Sequence, residues 1–533
     1  MKKLLFLQIL LLVIIFSCNK EILHKQNQIV VSMGSEPNTI DPTLNDMGAV
    51  STYIIHSFES LTKIDSNNNI KPGISESWSI SDDKLTYTFY LRTNAKWSDK
   101  KPVTAYDFQY SWRRAVDTNV KAPYSYIMDI IKNAKKINLG LIDKTNLAIK
   151  VIDDYVLEVT LENPESYFLE LIAFTSIFAP LREDIINKYG NEWTLKPETY
   201  ICNGQYKMAK INRGKEIIYE ENPYYYDKNE IVAKKIKFVS TSDVNFVIND
   251  IKNDKMHFSA IDLPNDDIEI LQNNGYIILN NCIGTYYLEL NITNNFLKDK
   301  RVRQALSLAI DRNYLVEKIV KPKAVAAGAF VPPVVKGIEK SFREESSNFI
   351  NIYEYEKNIL KARKLMQEAG YPNGKNFPIL VLNVSYGTFH NIGVAIQQMW
   401  KNALNIYIKL KLEEFPNTLI SLNKKDYQMA RMGWTGDYYD PMTMLDIMIS
   451  HSRVNHSSFS NEKYDALIYE AKSSKNNNLR MNNMREAESI LLDEMPIIPL
   501  YYKTDSLIVN PKLKNVIITA LGRYKFNYCY IEE

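Results

Sequence analysis

The second half of the chain alternates between helical and extended patterns, and this alternation constrains the fold more than any other feature. A helical pattern at 391–406 is followed by the β-rich run 407–414, and another at 482–495 is followed by 497–503. Apolar residues also recur at helical spacing over 301–320. In the first half, "KLTYTFYLR" at 84–92 alternates as a half-buried strand does. The pattern predicts an α/β protein with mixed sheets.

Length and composition limit the possible classes of protein. A chain of 533 residues predicts two to four domains. Its 45% apolar and 24% charged residues exclude wholesale disorder, and a net charge of +3 gives no basic footprint for nucleic acid. The sequence contains no phosphate-binding loop, dinucleotide fingerprint, nucleophile elbow, HExxH or CxxC. We therefore expect no metal, no cofactor and no enzymatic activity.

The N-terminus has the pattern of a secretory signal. Lys2 and Lys3 precede an apolar run at 4–16, and Ser17 and Cys18 follow it. The run is shorter than the roughly 20 residues needed to span a bilayer. The stretch "IIFSC" is similar to a bacterial lipobox. This predicts a signal peptide at 1–17 and an acylated Cys18 with a tether at 18–28, which anchors the protein to a bacterial membrane on the extracytoplasmic side.

The stretch "RMGWTGDYYDP" at 431–441 carries the candidate ligand site. Arg431, Gly433, Thr435 and Asp437 have the same parity and share one face if the strand persists. Opposite charges at the two ends suit an extended zwitterion, with its ammonium on Asp437 and its carboxylate on Arg431. The backbone at Gly433 and Thr435 would pair with the ligand main chain by strand addition. The alternative is a structural strand whose Arg and Asp pair with neighbours.

Other classes of function stay open on these residues. Glu59 and Asp437 could form the acid pair of a surface glycan hydrolase. An adhesin would bind a host macromolecule and need no cleft.

Four segments of the chain resemble signature segments of bacterial oligopeptide-binding lipoproteins, the solute-binding subunits of ATP-driven peptide importers. They are "WSDKKPVTAYDFQYSWRRAVD" (97–117), "NGQY" (203–206), "RVRQALSLAIDR" (301–312) and "GWTGDYYDP" (433–441). The resemblance runs in order from 35–42 to 496–503. It implies a monomeric receptor that delivers short peptides to permease and ATPase subunits. A receptor for dipeptides or another small solute, such as a metal chelate, is the alternative within the family.

The resemblance also implies a fold, a two-lobed flytrap with mixed sheets and an extra inserted domain, three domains in all. Lobe 1 would consist of 29–72, 183–283 and 505–533. The inserted domain would be 73–182 and lobe 2 would be 284–504. The peptide would be enclosed between the lobes.

The same resemblance implies roles for individual residues. Asp437 would bind the peptide ammonium, and Arg431 and His390 would meet its carboxylate. Trp400 is better explained as a core residue. The peptide backbone and cleft walls would be contacted by Glu59, Asn203, Gly204, Tyr206, Gly433, Trp434, Thr435, Tyr126 and Tyr286.

Three departures from the family pattern concern a disulfide and the carboxylate end of the site. Thr435 replaces a cysteine, so the disulfide that this cysteine makes in relatives should be missing, and Cys282 has lost its partner. Ser307 replaces a lysine of the family. The position of a second arginine in relatives falls near Leu422 here, where the only basic residues close by are Lys424 and Lys425. The ammonium end is intact, whereas the preferred peptide length stays open.

Overall fold

The computed structural model describes residues 28–45, 48–65, 69–321, 324–346 and 348–533. The predicted signal peptide 1–17, the acylation site Cys18 and residues 19–27 of the tether lie outside these ranges. Within them, no helix is both long and apolar enough to cross a bilayer.

An 11-stranded mixed sheet forms the frame of the molecule. Parallel pairing joins Gln28–Ser32 to both of its neighbours and Leu380–Val384 to both of its neighbours, and the other pairs are antiparallel. The mixed sheet predicted from the sequence is therefore confirmed. Across the sheet the strands are Ile408–Leu412, Leu380–Val384, Met429–Thr435, Ile277–Leu290, Ile497–Val509, Phe258–Ser259, Gln28–Ser32, Lys235–Val239, Glu216–Glu221 and Tyr206–Asn212, with Ala324–Ala326 paired to Ile497–Val509.

Two long antiparallel strands, Ile277–Leu290 and Ile497–Val509, join the two halves of this sheet. The first half of Ile277–Leu290 lies with the lobe 1 strands, whereas its second half pairs with Met429–Thr435. The pairing of the two long strands is irregular between Asn281 and Thr285. The predicted lobe boundaries 283/284 and 504/505 fall at this irregularity.

A separate four-stranded antiparallel sheet lies within 73–182. Its strands, in order across the sheet, are Ser75–Ile80, Thr86–Leu91, Val156–Thr160 and Ile149–Asp153. Tyr87 and Phe89 are buried, as the alternating pattern predicts. The helix Ala105–Val116 begins at a capping box in which the Thr104 N–H donates to Asp107 Oδ2 at 2.8 Å.

The other helices pack against these sheets or against one another. The helix predicted over 301–320 is broken: Lys300–Leu308 ends, and a new helix starts because the Asp311 carboxylate accepts from the N–H of Tyr314 at 3.0 Å. Trp400 is 0% exposed in the lobe 2 core, which confirms its interpretation as a core residue. The remaining α-helices of the described residues are Gly48–Ser57, Ala134–Asn138, Phe168–Phe174, Glu183–Tyr189, Val244–Lys252, Asn265–Asn273, Tyr355–Glu368, Thr388–Leu404, Phe415–Asn423, Met442–Leu445, Glu462–Ser473 and Asn477–Glu494.

Candidate functional site

Three neighbouring cavities share lining residues and form the candidate cleft. The first, of about 490 Å³, is lined mainly by residues of the predicted lobe 1, including Arg523 and Lys525, and also by residues 173–174 of the 73–182 segment. Another cavity, of about 470 Å³ and called the third cavity below, lies between the 73–182 segment and lobe 2, where Tyr126 and Trp434 line it. A narrow cavity of about 30 Å³ links them, because it is lined by Arg523 of the first and Asp437 of the third.

Asp437 lies just after the strand Met429–Thr435, at the centre of this cleft. Its N–H donates to Thr443 Oγ1 at 2.9 Å, which fixes the turn. Burial raises the pKa of the Asp437 carboxyl to about 6, and Arg523 opposes the rise. Among the described residues, no side chain donates a hydrogen bond to this carboxylate, and no cation lies within 4.0 Å of it. A desolvated carboxylate without a donor is suited to bind a cation.

Arg523 faces Asp437 from the C-terminal segment. Its Nη1 donates to the carbonyl oxygens of Leu521 at 3.0 Å and Gly48 at 3.4 Å, while its Nε is buried without a partner among the described residues. Burial lowers the pKa of Arg523, and Tyr124 and Asp437 oppose this. Arg523 was not predicted from the sequence, because nothing in the stretch "GRYKF" at 522–526 distinguishes it from an ordinary surface arginine.

Arg431 lies at the other end of the strand, in an aromatic setting. Its guanidinium carbon is 3.9 Å from the ring centroid of Phe389 and 4.1 Å from that of Phe415. Its Nε donates to Ser385 Oγ at 3.2 Å. Within the described part of the chain, neither Arg431 nor Asp437 forms an ion pair. The alternative in which both charges pair with structural neighbours therefore finds no support here.

The strand between these two charges has a largely unpaired edge. On one side, all of Met429–Thr435 pairs with Ile277–Leu290. On the other side, Leu380–Val384 pairs only with Met429 and Ala430. Over 431–435 this second edge has no strand partner among the described residues. An open edge of this kind can accept an extended chain by strand addition.

Gly433 is required by the close approach of an aromatic ring. A Cβ at this position would lie 2.7 Å from the ring of Tyr286. That ring cannot move away freely, because it packs 4.9 Å from the ring of Tyr501 and 5.6 Å from that of Phe389, measured between centroids. Tyr286 therefore packs against the strand itself. Thr435 is exposed at the end of the same strand.

Two aromatic residues predicted as cleft walls line the third cavity. Tyr126 is 47% exposed, and its ring centroid lies 5.8 Å from that of Tyr124. The indole N–H of Trp434 donates to the carbonyl of Thr443 at 2.9 Å. His390 is half-buried in the first turn of Thr388–Leu404 and is not among the described residues that line the three cavities.

Glu59 faces the first cavity but its carboxylate is already held. The hydroxyls of Tyr225 and Tyr226 each donate to it at 2.6 Å, and Lys63 Nζ lies 3.9 Å away. Glu59 and Asp437 line different cavities. This arrangement does not favour a hydrolytic acid pair.

The segment 203–206 supports the loop that carries Glu59. Asn203 accepts from the Glu59 N–H at 3.1 Å and donates to its carbonyl at 2.8 Å. A Cβ on Gly204 would lie 2.6 Å from the backbone of Ser57. Tyr206 is fully buried, and its hydroxyl donates to the carbonyl of Ala233 at 2.7 Å. The side chains of Asn203 and Tyr206 thus contact protein rather than cavity.

The positions that depart from the family pattern have structural partners. The Cys282 thiol donates to Asp505 Oδ2 at 3.1 Å, and Ser307 Oγ accepts from Arg312 Nη2 at 2.9 Å. Among the described residues, no group of three His, Cys, Asp or Glu side chains could hold a metal ion. Three buried cysteines are free: Cys202, Cys282 and Cys529.

Comparison with known proteins identifies the family. The family model described as "Bacterial extracellular solute-binding proteins, family 5 Middle" matches residues 69–456. The oligopeptide-binding protein OppA of Bacillus subtilis is 30% identical over 507 residues, which cover 94% of this chain and 92% of that protein.

Solved structures support the same assignment. The unliganded open form of the periplasmic murein tripeptide-binding protein MppA is 29% identical and superposes with a TM-score of 0.83, over 96% of this chain and 98% of that one. Haemophilus influenzae OppA in complex with the peptide RPPGFSPFR is 27% identical, with a TM-score of 0.76 over 96% of this chain and all of that one. The chain thus has the multi-domain flytrap fold, and it belongs to the family 5 bacterial extracellular solute-binding proteins.

Proposed function

We propose that this protein is an extracytoplasmic receptor that binds short peptides between its lobes and delivers them to the permease of an ABC importer. The observation that carries the proposal is a half-buried carboxylate without a donor, Asp437, beside the open strand edge 431–435. Relatives named as oligopeptide-binding proteins support it.

The geometry suits what all peptides share. Asp437 binds the terminal ammonium, and the edge 431–435 binds the main chain. Each main-chain hydrogen bond contributes about 0.5–1.5 kcal/mol, so several of them bind a peptide without reading its side chains. Arg431 stands at the far end of the edge, at most about 20 Å from Asp437, and takes a carboxylate or carbonyl.

Closure couples binding to transport. A ligand that contacts both lobes stabilises the closed arrangement by its extra contacts there. The superposition on the unliganded open form of MppA, with a TM-score of 0.83, supports an open arrangement of the lobes in this structure. The closed form is then the one that a permease recognises.

The proposal includes the cellular setting. Acylation at Cys18 tethers a monomeric receptor to a bacterial membrane outside the cytoplasm, beside the permease and ATPase subunits. The protein acts by binding and not by catalysis, with no cofactor and no nucleic acid partner.

Calorimetry with tri- to pentapeptides tests the proposal. Peptides with a free amino terminus should bind, and their N-acetylated forms should bind far more weakly, because acetylation removes the charge that Asp437 pairs with. Asp437→Asn should abolish this difference. Asp426→Asn, at an exposed position in the same lobe, is the matched control. Equal affinity for free and acetylated peptides would remove the role of Asp437.

Native mass spectrometry of the purified protein identifies the class of ligand directly. Co-purified peptides of several residues support the proposal. A uniform dipeptide or a non-peptide mass would point to a small-solute receptor of the same fold.

A further inference from the structure

Two cations in the first cavity have no carboxylate partner. Arg523 and Lys525 are two residues apart at the short strand Tyr524–Lys525, and both line the cavity of about 490 Å³. Lys525 Nζ donates to the carbonyl of Ile64 at 3.3 Å, and Arg523 also donates to backbone carbonyls. Within the described residues, no carboxylate oxygen lies within 4.0 Å of either side chain.

The acidic residues of this cavity are engaged elsewhere. Lys63 pairs with Glu230 at 2.9 Å, and Lys71 pairs with Asp65 at 3.7 Å. Glu59 accepts hydrogen bonds from two tyrosine hydroxyls, as described above. The three acidic and four basic side chains that line the cavity therefore leave one positive charge in excess, and neither Arg523 nor Lys525 forms an ion pair there with any described residue.

The environment of both cations is one that an anion would improve. Burial lowers the pKa of Lys525. The acidic residues Glu59, Glu230 and Asp65 oppose this, and Lys63 adds repulsion. Arg523 has a buried Nε without a partner among the described residues. An anion in this cavity would be bound by the two side chains through charge-assisted hydrogen bonds, which are stronger than neutral ones.

We propose that the first cavity binds a carboxylate of the ligand through Arg523 and Lys525. This inference rests on the proposed function, in which Asp437 binds the ligand ammonium. Arg523 also lines the narrow cavity of Asp437, so the carboxylate must lie close to the ammonium in the ligand. Two sources fit: an aspartate or glutamate side chain at the first residue of a peptide, or the terminal carboxylate of a dipeptide.

Calorimetry with two matched ligand pairs tests the inference. The first pair is a tetrapeptide amide with Glu or with Gln at its first position, which differ only in the side-chain carboxylate. The second pair is Ala-Ala and its amide, which differ only in the terminal carboxylate. Each pair is measured on the wild type, Arg523→Gln and Lys525→Gln. Lys409→Gln, at an exposed position on the edge strand Ile408–Leu412, controls for the loss of one charge.

The expected result is a preference of about tenfold or more for the carboxylate-bearing member of one pair, the effect of a hydrogen bond to a charged group. The ratio of the two affinities should fall towards one in Arg523→Gln and in Lys525→Gln, and it should keep its wild-type value in Lys409→Gln. The pair that shows it identifies the source of the carboxylate. Equal affinity within both pairs on the wild type, or a preference that both variants retain, would overturn the inference. A failure of the proposed function is distinct: no ligand with a free ammonium would bind at all, and both proposals would fall.

Discussion

Peptide affinity should depend on pH through Asp437. Burial raises the pKa of this carboxyl to about 6, and only its ionised form attracts an ammonium. As the pH falls through about 6, a proton competes with the ligand for the same group. From pH 7 to pH 5 the ionised fraction of a group with that pKa falls about tenfold, and the affinity should fall by the same factor. The ligand ammonium stays protonated over this range, since its own pKa is about 8.

Isothermal titration calorimetry of one tripeptide from pH 5 to pH 7 measures this dependence, with Asp437→Asn alongside. The variant should bind more weakly by about 3 kcal/mol or more, because the ligand ammonium would be buried without its partner. It should also lose most of the pH dependence. The reasoning would be refuted by a wild-type affinity that is flat over this range, or by a decline of the same size in Asp437→Asn.

Three further predictions concern other parts of the molecule. Burial raises the pKa of Glu289 from 4.5 to about 8, so between these pH values the folded protein holds a proton that the unfolded chain releases. The contribution of this proton to the free energy of unfolding is fully present below pH 4.5. It is lost as the pH rises towards 8, at up to about 1.4 kcal/mol per pH unit. Glu289→Gln should therefore flatten the pH dependence of urea unfolding and stabilise the protein at pH 8, and an unchanged profile would contradict this. Gly433→Ala should cost about 1–3 kcal/mol in urea unfolding and weaken peptide binding, because its Cβ would meet the ring of Tyr286; a variant as stable as the wild type would show that the ring yields. Arg431→Leu should reduce affinity for longer peptides with a free carboxylate and leave their amides unaffected, as measured by calorimetry, whereas equal losses for both would assign Arg431 a structural role.

Much of the fold could be predicted because its signals are local. The strand 84–92 alternates with a period of two, and that period alone places Tyr87 and Phe89 in the core. The helical prediction over 301–320 was wrong in one respect, because the segment forms two helices and not one continuous helix. Asp311 is compatible with a helix by spacing, but its carboxylate caps a new one instead.

The site was less predictable because it depends on contacts between distant segments. Asp437 stands out by its aromatic and glycine neighbours, whereas Arg523 has ordinary neighbours and reaches the same cavity only through the folding of the C-terminal segment. Strand addition at 431–435 could be proposed from the sequence, but whether that edge is open could not be decided from it. It depends on where Leu380–Val384 stops pairing, and strand partners are set by tertiary packing.

The two long strands Ile277–Leu290 and Ile497–Val509 bear on how the molecule unfolds. A chain of 533 residues would ordinarily lose its domains one after another. Here both long strands run through the two halves of the large sheet. Unfolding of one half therefore removes hydrogen bonds from strands that the other half also needs. We therefore expect the lobes to denature together, in a single cooperative transition.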